Sequence, residues 1–549
     1  MAACLVGVSA ALAQTGSKVS QTRHNLTATG PGPIRVAGTS EVCIFCHTPH
    51  ASNPVGPLWN RPDPGHYYEV YRSSTLTATV GQPTGESRMC LSCHDGTIAL
   101  TQTYNPRNAM PGTVYITPQS AGYIGTDLTG HHPISFVYDS ALATKNPQLR
   151  DPSALANTLP LDRRHELQCT TCHDAHDDSL GFFLRMDNRQ SGMCVSCHNM
   201  TGWALSDHAR SSASVASIKA GRWDRLRYDT VRDLGCESCH RPHNAGGRQR
   251  LLRYEAEEDN CLVCHNGSVG KDIASALSQV STHPVRRTTG AHEPMENPLS
   301  MEMHVECVDC HNPHQTQSGP APRGSRIKPA MKGATGVTSF GRTMTAATFE
   351  YEVCYKCHSS RNPARAVVNR VIPNNDISQA FSPTNASFHP VQAQGRSTDV
   401  PSLLQPLLIT TLLYCTDCHN SDAAARGGVK GPHGSPYPPL LAHNYTTTDS
   451  TPESTRAYEL CYSCHNRASI LADQTFSSHR KHIVDQRTPC SVCHDAHGVQ
   501  QNPHLINFDR FVVKPTTGGQ GPTYQSTGMR RGTCTLNCHG KEHNPLKYP

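Results

Sequence analysis

The sequence predicts a mostly irregular, loop-rich protein of short α-helices with little β structure. Repeated cysteine–histidine modules take the place of a conventional apolar core. Three observations carry this expectation. Of the 25 cysteines, 24 fall in twelve close pairs, each followed at once by histidine. Only 36% of the 549 residues are hydrophobic, against 40 prolines and 41 glycines, which is a poor basis for one large regular core. The pairs also alternate between two kinds along the chain, so a module repeat outweighs helix or strand periodicity.

Eleven pairs have two residues between the cysteines: Cys43/Cys46-His47, Cys90/Cys93-His94, Cys169/Cys172-His173, Cys194/Cys197-His198, Cys236/Cys239-His240 and Cys261/Cys264-His265, then Cys307/Cys310-His311, Cys354/Cys357-His358, Cys415/Cys418-His419, Cys461/Cys464-His465 and Cys490/Cys493-His494. The twelfth, Cys534/Cys538-His539, has three. Two thiols followed directly by an imidazole form the attachment signature of a c-type haem. The thiols bond to the porphyrin edge and the histidine takes one axial position on iron. Zinc has no use for a histidine immediately after every second cysteine, and such close pairs do not have the spacing of loop-closing disulfides. The expected cofactor is therefore haem c, twelve per chain, and Cys4 is the one cysteine left over.

A second set of histidines follows the same repeat. One kind of motif carries a histidine three residues further on, at His50, His176, His243, His314 and His497, and the ninth motif has His433 after a glycine-rich loop. Ahead of each pair of motifs stands another: His24, His132, His208, His283, His389 and His482. Six leading and six trailing histidines supply one further ligand for each of twelve irons. His304 competes with His283, and His131 and His479 compete with their close neighbours. His243 cannot reach the far face of the haem bound by His240, because the porphyrin intervenes. It should serve a different haem, expected to be the one on Cys261 and Cys264.

Helices should be short and begin near the motifs, with brief strands around Ile134–Val137 and Phe511–Val513. Turn-rich connectors are expected at 95–130, 315–345, 420–450 and 514–533. The motifs divide into haems 1–4 over 15–200, haems 5–8 over 201–375 and haems 9–12 over 376–549. Residues 1–14 hold a short apolar run ending in Ala11-Leu12-Ala13, which reads as a secretory signal. The stretch 403–413 is broken by Gln405 and Pro406, and no segment reaches the length of a membrane span.

The formal charge is +6, but about 24 propionates and about 12 ferric iron–porphyrin charges would bring the oxidised holoprotein to roughly −6. That removes the case for a nucleic-acid partner. Arginine outnumbers lysine 37 to 12, which suits pairing with propionate carboxylates.

The alternating pairs, with Cys43-Ile44-Phe45-Cys46-His47-Thr48-Pro49-His50 and Cys307-Val308-Asp309-Cys310-His311-Asn312-Pro313-His314, resemble the doubled-CXXCH multihaem c-type cytochromes of metal-respiring bacteria. The resemblance implies export to the periplasm or outer cell surface and extracellular electron transfer through irons with two histidines. Two imidazoles leave iron no open position for substrate, so the expectation is an electron-transfer protein and not an enzyme, with no catalytic residues. Its expected partners are redox proteins, other cytochromes, extracellular metal oxides and further copies of itself. A multihaem oxidoreductase of a nitrogen or sulfur oxyanion is the alternative, together with a structural subunit of a cytochrome filament or porin conduit.

Overall fold

The cysteine motifs nucleate the local structure. In the computed structural model, which describes residues 18–548 apart from 156, 220–227, 287–291, 295 and 361–366, many motifs form a single helical turn. Examples are Cys169–Cys172, Cys307–Cys310, Cys415–Cys418 and Cys490–Cys493. The following histidine donates its amide to the carbonyl of the first cysteine, at 3.0 Å for His173 and 2.9 Å for His494. One turn thus gathers two thiols and an imidazole. The second residue between the cysteines often caps that turn. Thr171, Asp309 and Asp417 accept the amides of Gln168, Glu306 and Tyr414 at 3.0, 2.8 and 2.8 Å, satisfying donors that a helix start leaves open. The proposed secretory segment at 1–14 lies outside the described residues.

The chain divides into two compact units, one of Met1–Ala204 with Ala209–Asn260, the other of Leu205–His208 with Cys261–Pro549. Apolar side chains gather in small patches beside the motifs. In the first unit Val36, Phe45 and Leu100 pack against Cys46 and Cys93; in the second, Ala457, Tyr458 and Ile483 pack against Cys461 and Cys490. Most strands are two-residue pairings such as Phe136–Val137 with Glu166–Leu167. The fold class is the expected one, loop-rich with many short helices.

The C-terminus departs from that pattern. Thr523–Gly528, Arg531–Cys538 and Lys541–Tyr548 form an antiparallel sheet, joined at its middle strand by Val513–Lys514. The stretch 514–533 was expected to be only turn-rich connector. Its Thr-Tyr-Gln-Ser-Thr run contains β-forming residues, and Arg530, in the left-handed region at φ 59°, turns it back on the next strand. The twelfth cysteine motif therefore lies on a strand, unlike the helical turns of its counterparts.

Candidate haem-binding site

Successive motifs meet through their thiols. Cys90 touches Cys169, Cys194 touches Cys236, Cys354 touches Cys415 and Cys461 touches Cys490. In each case the first thiol of a second-kind motif meets the first thiol of the next first-kind motif. Consecutive pairs of motifs are joined edge to edge at these points.

Helical segments begin near the motifs at Cys236 and Cys461 as expected, but the second cysteines there, Cys239 and Cys464, are placed by other means. The helical segments there end inside the motif, at Gly235–Ser238 and Glu459–Tyr462, so Cys239 and Cys464 lie past them. Each is held by backbone bonds instead. The Cys239 amide donates to the Cys236 carbonyl at 3.1 Å and its own carbonyl accepts the Arg253 amide at 2.9 Å. The Cys464 amide donates to the Cys461 carbonyl at 3.2 Å, and its carbonyl accepts the Leu404 amide at 2.9 Å. Both cysteines are half-buried, and Cys464 stands near the Cys418 thiol. A tight turn thus keeps both thiols of the motif together where the helix stops short.

Imidazoles then pair across larger gaps. In the first unit, ring centroids are separated by 6.3 Å for His47 and His176, 6.2 Å for His94 and His24, 6.1 Å for His173 and His243, and 6.2 Å for His198 and His132. In the second unit the pairs are His265 with His208 at 6.3 Å, His311 with His433 at 6.0 Å, and His358 with His283 at 6.3 Å. They continue with His419 and His497 at 6.2 Å, His465 and His389 at 6.5 Å, and His494 and His479 at 6.2 Å.

This spacing suits a metal between the rings. A ring nitrogen lies about 1.1 Å from its centroid and metal–imidazole bonds are about 2.0–2.1 Å, so two imidazoles on opposite sides of one ion should have centroids about 6.3 Å apart. The ring nitrogens are arranged to match. Among motif histidines, Nδ1 of His94, His173, His240, His311, His419 and His494 donates to the carbonyls of Gly122, Phe182, Arg250, Ala330, Pro439 and His504 at 2.6–3.0 Å. Nε2 remains for a ligand. Tying one nitrogen to a carbonyl fixes the tautomer and the ring plane, as in other metal-bound histidines.

The leading histidines are tied in a way that interlocks the pairs. Nδ1 of His24, His208 and His283 donates to the carbonyls of Ala175, Pro313 and Pro432 at 2.9, 2.9 and 2.8 Å, and His389 donates likewise to Ala496. Each of those carbonyls belongs to the residue just before a trailing histidine: His176, His314, His433 or His497. The His132 amide makes the equivalent bond to the Pro242 carbonyl, beside His243, at 2.8 Å. One short segment thus presents its own imidazole to one motif and steadies a second imidazole that faces the other.

Burial keeps these rings neutral, the form that ligates metal. It pulls His198, His265, His358, His433, His465, His494 and His497 down to about 4. His243 and His479 fall to about 3, again chiefly through burial.

Three stretches, 163–202, 229–270 and 411–469, match the family model for the doubled CXXCH motif. They coincide with the motifs at Cys169 and Cys194, at Cys236 and Cys261, and at Cys415 and Cys461. These doubled motifs indicate a multihaem c-type cytochrome. No curated protein matches the chain. Doubled motifs of this kind indicate covalent binding of haem c, and multihaem cytochromes carry electrons between redox partners and are typically exported.

Several expectations change in the structure. His243 faces His173, not the motif at Cys261 and Cys264. Trailing segments lean back toward the preceding pair, to which the thiol contacts already join their own motifs. His283 keeps its expected place and faces His358, whereas its competitor His304 lies 3.4 Å from Glu296. His131 stands beside His243, with the two Nδ1 atoms 3.4 Å apart. His479 takes the place opposite His494, while His482 faces His543 at 6.5 Å. His50 is exposed, and its carbonyl accepts bonds from Thr48 and Asn105 at 3.0 and 2.9 Å. His314 donates its amide to Asn312 at 3.0 Å.

The arginines do more than offer charges for propionates. Nε of Arg185, Arg150 and Arg253 donates to the carbonyls of Thr170, Val195 and Glu237 at 2.6, 2.7 and 2.6 Å, and Nη1 of Arg370 donates to Ser491 at 2.6 Å. Each acceptor follows the first cysteine of a motif. Arg61, wholly buried, reaches the Ser92 carbonyl at 3.0 Å. A planar cation with several donors suits the open carbonyls of a one-turn helix. Sequence reasoning missed this role, because these arginines keep no constant distance from the motifs they hold.

Among the described residues His292, His304, Glu306 and Asp309 also bring four ligand atoms within 4.8 Å. His292 meets Glu306 at 2.7 Å, and Asp309 is held by buried Lys356 at 3.1 Å.

Proposed function

We propose that the protein is a dodecahaem electron conductor whose irons each carry two imidazoles, working in the periplasm or at the outer cell surface. The carrying observation is the combination of ten imidazole pairs at 6.0–6.5 Å with thiol contacts that join consecutive motif pairs. Iron held between two imidazoles exchanges electrons but has no vacant position for substrate, which favours conduction over oxyanion reduction. Imidazole on both faces, without methionine, also favours low potentials. Among the described residues no helix is long and apolar enough to cross a membrane.

Haem would be held by the motif thiols, with axial imidazoles drawn from the pairs above, and it supplies reversible one-electron chemistry. The chain's own residues fix ring planes through carbonyls, keep imidazoles neutral by burial, and set neighbouring attachment points in contact. The expected partners are other redox proteins, metal oxides outside the cell and further copies of the chain. Intact mass and electron paramagnetic resonance test the reading together. Twelve haems and low-spin signals alone are expected; a stoichiometric high-spin haem that binds cyanide would turn the reading toward an oxidoreductase.

A further inference from the structure

Just before the seventh motif the chain doubles back and gathers two imidazoles against two carboxylates. Turns close from Glu293 to Glu296 and from Asn297 to Met301, with amide–carbonyl distances of 3.0 and 2.8 Å, so His292 and Glu296 return beside His304 and Glu306. The four side chains alternate. Nδ1 of His292 lies 2.7 Å from Glu306 and 3.5 Å from Glu296, and Nε2 of His304 lies 3.4 Å from Glu296 and 3.9 Å from Glu306. Only the first of these distances is a hydrogen bond.

His304 shows why hydrogen bonding does not account for the rest. Its Nδ1 donates to the Glu302 carbonyl at 2.8 Å, so in the neutral ring Nε2 carries a lone pair and no proton. That lone pair faces two carboxylates, acceptor against acceptor, and a cation between them resolves the conflict. Tying Nδ1 to a carbonyl is also how metal-bound histidines are oriented. The spacing fits as well. Bonds of about 2.1 Å to a tetrahedral ion place neighbouring ligand atoms about 3.4 Å apart, and the four nitrogen–oxygen separations scatter around that value.

The charges point the same way. One ligand atom from each of His292, His304, Glu306 and Asp309 falls within 4.8 Å of the others. Asp309 is engaged through both oxygens, by Lys356 at 3.1 Å and by the Glu306 amide at 2.8 Å, so it steadies Glu306 and does not take the ion. Glu306 and Asp309 are buried, 6% and 3% exposed. With Glu296 they set three carboxylates against the single ammonium of Lys356. Two negative charges are left over when the imidazoles are neutral, and burying such charge is costly. A dication cancels them. His292, His304 and Glu296 remain partly open to solvent, which gives an ion a way in.

We propose that His292, His304, Glu296 and Glu306 form a site for one divalent transition-metal ion of the zinc kind, distinct from the haem ligands. Its two imidazoles disfavour calcium and magnesium, which take oxygen ligands. On binding, the ion displaces the proton that His292 shares with Glu306. Because Glu306 directly precedes Cys307, the ion braces the start of the seventh motif's turn.

Elemental analysis tests the site. Chelator-treated holoprotein, given one equivalent of zinc in excess magnesium and calcium and then desalted, should retain one zinc per chain. X-ray absorption at the zinc edge should show imidazole and carboxylate neighbours and no sulfur. Other histidines also bind zinc, so variants locate the ion. Glu296→Gln and His304→Gln should each lose the zinc at full haem content, whereas His66→Gln, at an exposed residue outside the cluster, should keep it. No zinc in the wild type, displacement by magnesium, or wild-type stoichiometry in Glu296→Gln overturns the proposal. If His304→Gln does not fold, Glu296→Gln decides alone, since it changes one partly exposed carboxyl to its isosteric amide.

Discussion

At the scale of single residues, ligand identity is decided by which ring nitrogen is already engaged. His173 donates its Nδ1–H to the Phe182 carbonyl and faces His243, whose ring desolvation by the surrounding chain keeps neutral. Replacing His243 by Ala removes the imidazole opposite His173 and leaves every attachment cysteine in place. The expected result is full haem content with one haem turned high-spin and raised in potential. Electron paramagnetic resonance checks it, and a wholly low-spin spectrum would show that another group faces His173. The His240 haem should be untouched by the change, although His240 is only three residues away. Distance along the chain says little here, since a porphyrin separates neighbours in sequence and joins residues far apart.

Elements in this protein are single turns and two-residue strands, too short to hold themselves together. Their stability comes from side chains that grip their ends. Arg370 donates to the carbonyls of Ser491, Asn507 and His494 at 2.6, 2.8 and 2.7 Å, binding the motif turn at Cys490–Cys493 to the loop after it. Arg370→Ala leaves three acceptors to find other donors, and should cost about 1–3 kcal/mol of local stability. Hydrogen exchange over 490–508 would register this as lost protection, and unchanged protection would remove the arginine from its assigned role.

A second element-scale effect depends on pH. Burial alone would lower the pKa of His292. Its hydrogen bond with Glu306 and the charges of Asp309 and Glu296 outweigh burial and raise it. The folded state therefore holds this proton more tightly than the unfolded chain does. The stabilisation is complete below the unfolded value of about 6.5 and is lost as pH rises through the folded value. The midpoint of thermal unfolding should fall across that window, and His292→Gln should flatten this part of the profile. An identical slope in the variant would show that the proton is not linked to folding.

On the scale of the whole molecule, the apolar packing described in each unit comes as separate patches. The patches beside Cys46 and Cys461 are small, and each lies against a motif. Folding should then be coupled to haem attachment, as in other chains organised by a cofactor. The chain made without haem attachment is expected to give a broad, non-cooperative thermal melt by circular dichroism, against a cooperative one for the holoprotein. A cooperative transition without haem would show that the polypeptide carries its own core.

The motifs, their pairing and the histidine repeat were all legible in the sequence, because attachment chemistry demands fixed local spacing: two thiols and an imidazole must share one turn. The short helices were legible for the same reason, although at Cys239 and Cys464 the helix ends before the second thiol and a backbone turn completes the motif. What only the tertiary structure decided is which imidazole faces which. His176, His243, His433 and His497 each reach back to an earlier motif, and no local rule states that direction, since it follows from thiol contacts between distant turns. The arginine grips on motif carbonyls are equally invisible in sequence, because Arg150 and Arg370 lie 45 and 121 residues from the carbonyls they hold. The strand at Cys534 and Cys538 is the sharpest case. One extra residue looks like a minor variant of the motif, yet it lies on a strand paired with Lys541–Tyr548 and not on a helical turn. Local chemistry is written in neighbouring residues, whereas a ligand opposite an iron comes from wherever the chain returns.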